Sequence, residues 1–214
     1  TGWFLSDILH RVAKKPPERE TMATKTTLRA EVRSRRRARR TGAPTLEAPL
    51  TPDFSRSPIP VRDRAEAEGI ARQIGALASS MGGVSLPALF APTPLEPDMS
   101  LALGLFERAL LPILLDEAGT PLGAPRWGLW EAGQALVTLG RPPAQPDGEA
   151  RGAESLKEAD LIIIPALAAS VDGTRLGQGG GWYDRALMHR SPDTPVVAAI
   201  FDDEVAEAGI IPAE

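Results

Sequence analysis

LIIIPALAASVDGTRLGQGGGWYDRAL, residues 161–187, reads as a strand, a glycine-rich loop and a helix in succession. Leu161, Ile162, Ile163 and Ile164 form an unbroken aliphatic run, the pattern of a strand covered on both faces, and Pro165, with no N–H to donate, limits how far its ladder continues. Strands of that kind lie inside α/β sheets. After the turn at Asp172 and Gly173, four of the five positions from Gly177 to Gly181 are glycine. A backbone without Cβ atoms can take positive φ there and come close to a ligand, which suits a polyphosphate. Trp182, Tyr183, Asp184 and Arg185 then open a helix whose free N–H groups face whatever the loop holds. The competing reading of the loop is a surface turn without a ligand.

A chain of 214 residues, 43 % of them hydrophobic, is one domain of ordinary size with material for a proper core. It has no cysteine, which excludes disulfides, thiolate catalysis and Cys-ligated zinc and makes a reducing cytoplasm the expected setting. His10 and His189 are the only histidines, too few for a His-based metal cluster. No apolar run approaches the roughly 18 residues of a membrane span. The net charge of −4 conceals an asymmetry: residues 1–40 hold 12 Lys or Arg against 4 Asp or Glu. The run RSRRRARR, Arg33 to Arg40, attracts a nucleic-acid reading, but it has no interleaved aromatics and no binding motif. A solvated helix face is the preferred reading, contact with a polyanion comes next, and specific nucleic-acid recognition comes last.

Residues 1–21 begin without methionine, and WFLSDILHRV is expected to form about two helical turns before Pro16 and Pro17. This segment is expected to be extraneous or disordered, with the domain proper over 22–214. Lys25 to Arg40 has a helical pattern, with Leu28 and Val32 on a narrow apolar stripe and Lys25 and Arg29 one turn apart on a shared face. Thr41 to Pro60 is a proline-rich loop. Asp63 caps a helix with Ile70, Ile74, Leu77 and Met81 on one face, and Gly82 and Gly83 end it. A strand over Val84 to Phe90, a helix over Ser100 to Arg108 and a strand over Ala109 to Leu115 make a right-handed βαβ unit. Between them, Pro92, Pro94 and Pro97 stiffen the turn that carries Glu96. Trp127 to Trp130 and Ala135 to Leu139 read as short strands that pair with each other, Arg141 to Gly152 as loop, and Glu154 to Ala159 as a helical turn. Pro195 to Phe201 is a last buried strand, followed by a short helix from Asp203 to Glu207. The expected fold is a single-domain α/β three-layer sandwich with a mostly parallel central sheet, open and doubly wound. Ligands of such sheets bind beyond the carboxyl ends of the strands, so Glu96 and the glycine loop belong on one edge.

The glycine loop is not a P-loop, because no Lys followed by Ser or Thr comes after it, and a G-x-G-x-x-G read from Gly177 meets Trp182. Residues 165–187 resemble instead the signature of the 5-formyltetrahydrofolate cyclo-ligase family, also called 5,10-methenyltetrahydrofolate synthetase, roughly R-L-G-x-G-x-G-Y-Y-D-R. Arg175, Leu176, Gly177, Gly179, Gly181, Tyr183, Asp184 and Arg185 match; Gln178 stands where the family has a basic or aromatic residue, and Trp182 replaces the first tyrosine. Lys25 and Arg29 match a second element of the family, a K-x-x-x-R helix whose cations reach ATP phosphates.

The resemblance implies an enzyme that converts 5-formyltetrahydrofolate and ATP to 5,10-methenyltetrahydrofolate, ADP and phosphate. It implies a nucleotide site of Lys25, Arg29, Arg175, Leu176, Gly177, Gln178, Gly179, Gly180, Gly181, Trp182 and Tyr183, with Arg175 and Tyr183 acting in the chemistry. Glu96, Gln178 and Trp182 would face the reduced folate, and Asp184 would ligate Mg²⁺, helix capping being its other reading. Trp182 and Tyr183 read as well as core packing, Arg185 as a partner of a surface acid, and His189 as an exposed cation at a helix end. The family continues into a further aspartate-bearing segment where this chain reaches Glu214, so a chain cut at its C-terminus, with weakened turnover, is expected. Two other functions compete: a nucleotide-binding protein of the same fold without folate activity, suggested by Gln178 and Trp182, and a nucleic-acid-binding module built on the arginine run.

Overall fold

A computed structural model describes residues 5–7, 24–41, 59–140 and 142–212. In chain order its elements are β1 (Leu5–Asp7), α1 (Lys25–Thr41), α2 (Arg64–Ser80), β2 (Pro87–Ala88), α3 (Ser100–Leu103), β3 (Arg108–Leu115), β4 (Pro121–Glu131), β5 (Leu136–Val137) and β6 (Gln145–Pro146). A 3-10 helix at Ala153–Glu158 leads to β7 (Leu161–Pro165), β8 (Ala168–Ser170), β9 (Arg175–Leu176), α4 (Trp182–Leu187) and β10 (Val196–Ala199). A second 3-10 turn, Asp202–Glu204, precedes β11 (Val205–Ala206).

The central sheet runs β1-β10-β7-β2-β3-β4. Its inner strands β10, β7, β2 and β3 are parallel, and β1 and β4 flank them antiparallel. The aliphatic run of β7 alternates between two cores. Leu161 and Ile163 join Val197, Leu111 and the α2 residues Ile70 and Ile74 on one face. Ile162 and Ile164 join Ala198, Leu110, Leu156 and Ala186 of α4 on the other. A strand apolar on both sides is therefore covered on both sides, giving the mixed α/β arrangement with a mostly parallel sheet. Helix α2 starts where Asp63 accepts the Glu66 N–H (3.1 Å) and stops where the Gly83 N–H returns to the Ala78 carbonyl (2.9 Å).

Several elements depart from the sequence reading. At Leu5–Asp7 the chain is a strand rather than helical turns, because β10 has a free ladder edge that it fills. β2 is only two residues long: the Asp160 carboxylate takes the Ser85 and Leu86 N–H groups (2.6 and 3.2 Å), and Pro87 has none to give. α3 stops at Leu103, since Gly104 caps it and Arg108 already belongs to β3. Trp127 to Trp130 end an 11-residue strand paired with β3, not with the segment at Leu136. β5 pairs with β6 instead, inside the stretch read as loop, because Gln145 is stitched to β3: its Oε1 accepts the Leu114 and Leu115 N–H groups (3.1 Å each) and its Nε2 donates to the Leu115 carbonyl (2.9 Å). A β8–β9 hairpin stands between β7 and the glycine loop. The helix expected at Asp203 is cut short, since Val205 pairs with Ala169. The loop expected between Thr41 and Pro60 falls almost wholly outside the described residues.

Helix α1 lies over the small β11-β8-β9 sheet, with Val32 and Leu28 packed on Leu167, Leu176 and Ile211. The arginine run does not form the expected solvated face. Arg36, 1 % exposed, makes a two-pronged bond to Glu204 (2.7 and 2.6 Å) and donates to the Ala166 carbonyl (2.6 Å). Arg39 reaches Asp203 (2.8 Å), Arg40 grips Glu66 (2.7 and 2.8 Å), and Arg33 reaches Gln178. The Phe201 ring lies beneath the guanidiniums of Arg36, Arg39 and Arg40, 3.9 to 5.7 Å from its centroid. Among the described residues no helix is long and apolar enough to cross a membrane.

Removing one member of a buried ion pair leaves the other charge without a partner, so Arg36→Met should cost about 3 to 5 kcal/mol in urea unfolding. Arg36→Met with Glu204→Leu should recover about half of that loss. A double variant no more stable than the single one would show that the two residues are not coupled.

Candidate functional site

Beyond the carboxyl ends of β2, β3 and β7 opens a cleft of about 530 Å³. The apolar wall comes from residues within or just after these strands. Phe90 and Ala91 come just after β2, Pro112 and Leu114 lie in the C-terminal half of β3, and Pro165 is the last residue of β7. Pro143 and Ala144, from the stretch ahead of β6, complete the apolar side. The polar side consists of Lys25 and Arg29 from α1, Arg175, the glycine loop and the first turn of α4. Glu96 and the loop thus share one edge, as the strand order predicts.

The loop is shaped by glycine at two positions in particular. Gly179 has φ 100° and would place a Cβ 3.5 Å from the Arg29 guanidinium carbon. Gly181 has φ 64°, a left-handed conformation, and starts α4 with no side chain capping the helix. From α1, Arg29 Nε donates to the Gly177 carbonyl (3.0 Å). Arg33 donates to the Gln178 carbonyl (2.8 Å) and to its side-chain oxygen (3.0 Å). Two of the loop's carbonyls, those of Gly177 and Gln178, are thereby occupied by α1 arginines.

The charges alternate around the cavity. Arg175 forms an ion pair with Asp184, the side chain of Arg175 being mostly covered and that of Asp184 mostly open. Asp184 is therefore the counter-ion of a cleft arginine. Among the described residues no group of three or more His, Cys, Asp or Glu side chains is placed to hold a metal ion. Glu96 is 5 % exposed, and one of its carboxylate oxygens accepts the Thr93 N–H (2.8 Å), which sets the side chain within its own turn. The Tyr183 phenol is pushed well above its ordinary value, first by burial and then by the negative charge of Glu96, with Arg175 pulling the other way. It therefore stays protonated at neutral pH and can donate a hydrogen bond. Trp182 packs edge-on against Trp127 (5.2 Å between centroids) and against Tyr183 (4.8 Å), so Trp182 and Tyr183 pack on the second core and line the cleft as well.

Of the residues expected in the site, Lys25, Glu96, Arg29, Arg175, Gly177 to Gly181, Trp182, Tyr183 and Asp184 line this cavity together. Leu176 does not; it is 1 % exposed and packs against Val32 and Leu167. Arg185, expected to pair with a surface acid, sits on the cleft and donates to the Gly180 carbonyl (3.3 Å), while His189 is exposed as expected. The sequence reading missed Arg33 as the holder of Gln178 and missed the apolar wall. The first carried a signal: Arg29, Arg33, Arg36 and Arg40 recur at the spacing of a buried helix face.

A sequence model described as the 5-formyltetrahydrofolate cyclo-ligase family matches residues 107–214. The chain is 42 % identical over 118 residues to a protein named 5-formyltetrahydrofolate cyclo-ligase from Mycolicibacterium smegmatis, an alignment covering 55 % of this chain and 58 % of that one. It is 31 % identical over 70 residues to the protein of the same name from Haemophilus influenzae, covering 33 % of this chain and 30 % of the other. The chain thus spans less than two thirds of the length of these relatives. Its fold is similar to the NMR structure of Aquifex aeolicus 5,10-methenyltetrahydrofolate synthetase, with a TM-score of 0.61, 20 % identity and coverage of 89 % of this chain and 83 % of that one.

Tyr183 is the single tyrosine of the chain, so its ionisation can be followed by near-ultraviolet absorbance without interference from another phenol. Its midpoint should lie above that of free tyrosine, near 10. Glu96→Gln should lower the midpoint and Arg175→Gln should raise it. Shifts in the opposite directions would contradict the arrangement of charges around the phenol.

Proposed function

The chain belongs to the 5-formyltetrahydrofolate cyclo-ligase family, and we propose that its cleft converts 5-formyltetrahydrofolate and ATP to 5,10-methenyltetrahydrofolate, ADP and phosphate. A formamide oxygen is a poor leaving group. Transfer of the terminal phosphoryl group of ATP to that oxygen forms an O–P bond, breaks the bond to ADP and turns the oxygen into one that can depart as phosphate. The neighbouring amine of the folate then bonds to the formyl carbon, gives up its N–H proton and closes the ring as phosphate leaves. Such chemistry asks a protein mainly to position the two substrates and to neutralise phosphate charge.

The observation that carries this reading is the meeting, in one cleft, of two α1 cations and an open glycine backbone with an acid and an apolar wall. Lys25, Arg29 and the loop from Gly177 to Gly181 would take the nucleotide phosphates, and Arg175 would meet the charge that develops on the transferring group. Tyr183, held protonated, would donate a hydrogen bond to the phosphorylated oxygen. Glu96 would face the polar edge of the folate, with Gln178 and Trp182 beside it, and Phe90, Pro112 and Leu114 would cover the ring's apolar surface. Magnesium belongs to this reading as the nucleotide's own companion, with Asp184 the carboxylate at the loop and no chemical step assigned to the ion. The reaction is placed in the cytoplasm.

The reading is tested by following formation of the methenyl product by absorbance. Each charge-assisted phosphate contact is worth roughly 1.5 to 3 kcal/mol, so Lys25→Ala and Arg29→Ala should each raise the ATP KM by at least about tenfold. The folate KM should change little in these variants. Glu96→Gln should do the reverse, weakening folate use while leaving ATP use nearly intact. Absence of product from the chain supplied with both substrates, or equal effects of all three substitutions on both substrates, would remove the reading.

A further inference from the structure

The turn that carries Glu96 is held from outside the cleft by two guanidiniums. From the last turn of α1, Arg40 Nε donates to the Pro94 carbonyl (3.0 Å) and Nη2 to the Glu96 carbonyl (2.8 Å). From the segment ahead of α2, Arg62 Nη1 donates to the Thr93 carbonyl (2.9 Å) and Nη2 to the same Glu96 carbonyl (3.0 Å). Three carbonyls of one short turn are thus occupied by two cations. These cations are in turn fixed by buried acids. Glu66, 3 % exposed, grips Arg40 with both oxygens and also accepts the Asp98 N–H (2.6 Å). Asp98, fully buried, accepts the Arg62 and Asp63 N–H groups (2.7 and 3.1 Å) and that of Ser100 (3.1 Å).

The same helix face meets the opposite wall of the cleft. Arg29 and Arg33 hold the glycine loop by carbonyls, and Arg40, two to three turns further along, holds the Glu96 turn by carbonyls. The distance between the two walls is therefore set along the length of one rigid element. Proline stiffens the turn internally, and the Arg40 guanidinium bonds tie it to that element.

We propose that Arg40, with Arg62 as its second grip, is a positioning residue that fixes where the Glu96 carboxylate stands in the cleft. Arg40 does not line the cavity; it acts through the main chain of the turn. The kinetic part of the inference rests on Glu96 being the folate-facing acid. The placement part does not, because the Tyr183 phenol, which feels the Glu96 charge, senses placement without any substrate.

The experiment compares Arg40→Gln, Arg40→Lys and, as a control that weakens the fold in β10 away from α1 and the cleft, Val197→Ala, each in the whole chain. In Arg40→Gln the Tyr183 ionisation midpoint should fall toward the value seen in Glu96→Gln. The KM for 5-formyltetrahydrofolate should rise by about tenfold, the loss of roughly one charge-assisted bond, while the ATP KM holds. Arg40→Lys, which keeps the charge and one bond, should restore part of both effects. Val197→Ala should lose stability with the midpoint unmoved, which separates placement from general weakening. A midpoint that stays put in folded Arg40→Gln overturns the inference whatever the kinetics. A midpoint that moves while folate use is unchanged sustains the grip and removes Glu96 from the folate site instead. Should Arg40→Gln fail to fold, Arg62→Gln removes one grip and leaves Arg40 in place: a smaller shift of the midpoint in the same direction supports the inference, and no shift overturns it.

Discussion

The buried contact between Arg36 and Glu204 is the constraint on which the cleft depends. A guanidinium and a carboxylate taken out of water lose several kcal/mol of hydration each, and only a close, well-oriented pair recovers it. Here Glu204 accepts two bonds from Arg36 and one from the Phe201 N–H (3.0 Å), while the third Arg36 bond goes to the Ala166 carbonyl. Ala166 follows β7 and Phe201 follows β10. The pair therefore bolts α1 across the carboxyl ends of two adjacent parallel strands, which is where the sheet leaves room for a ligand. A hydrophobic contact at the same place could supply comparable stability, but it would not fix the rotation of the helix about its axis as directional bonds do. With that rotation set, Arg29 and Arg33 meet the glycine loop and Arg40 meets the Glu96 turn.

The electrostatics of the cleft follow from the same geometry. Cations gather on the α1 and glycine-loop side, and the buried carboxylates Glu66, Asp98 and Glu204 lie behind it, each already bonded to an arginine or to main-chain N–H groups. Arg175 is balanced by Asp184. The free chain can thus concentrate positive charge at the loop without leaving a dense cluster of like charges unpaired, a condition that would oppose folding.

Much of this was legible in the sequence, and the gaps have physical causes. β7, α2 with its Asp63 cap, the helix that follows the glycine loop and the shared edge of Glu96 and that loop were all readable, because each rests on local periodicity or on residue chemistry. What could not be read depends on partners distant in sequence. The RSRRRARR run looked solvated because a helix face is ordinarily recognised by apolar residues, and here arginines occupy the inward positions. Their acids, Glu66, Asp203 and Glu204, lie on other elements with nothing in the local pattern to announce them. β2 was expected to be longer because its aliphatic residues are real core residues, but the Asp160 side chain and a proline remove the ladder that would make them strand. β6 was read as loop since Gln145 ties it to β3 through a side chain, which no backbone signal reports. Leu176 fell inside a motif and was grouped with its neighbours, although alternation along β9 turns it inward.

The distance in sequence between α1 and its acids also has a consequence for the order of events in biosynthesis. Arg36 and Glu204 are separated by 168 positions, and Arg29 and Gly177 by 148. At a translation rate of about 5 to 20 residues per second, the arginine face of α1 waits roughly ten to thirty seconds outside the ribosome before its C-terminal partners exist. During that interval most of the basic face stands beside a polyanionic machine, Glu66 of α2 being the one of its acids already made. The contacts of Arg29 and Arg36 that frame the cleft therefore form only after the C-terminal part of the chain has been made, and they take Arg36 out of solvent.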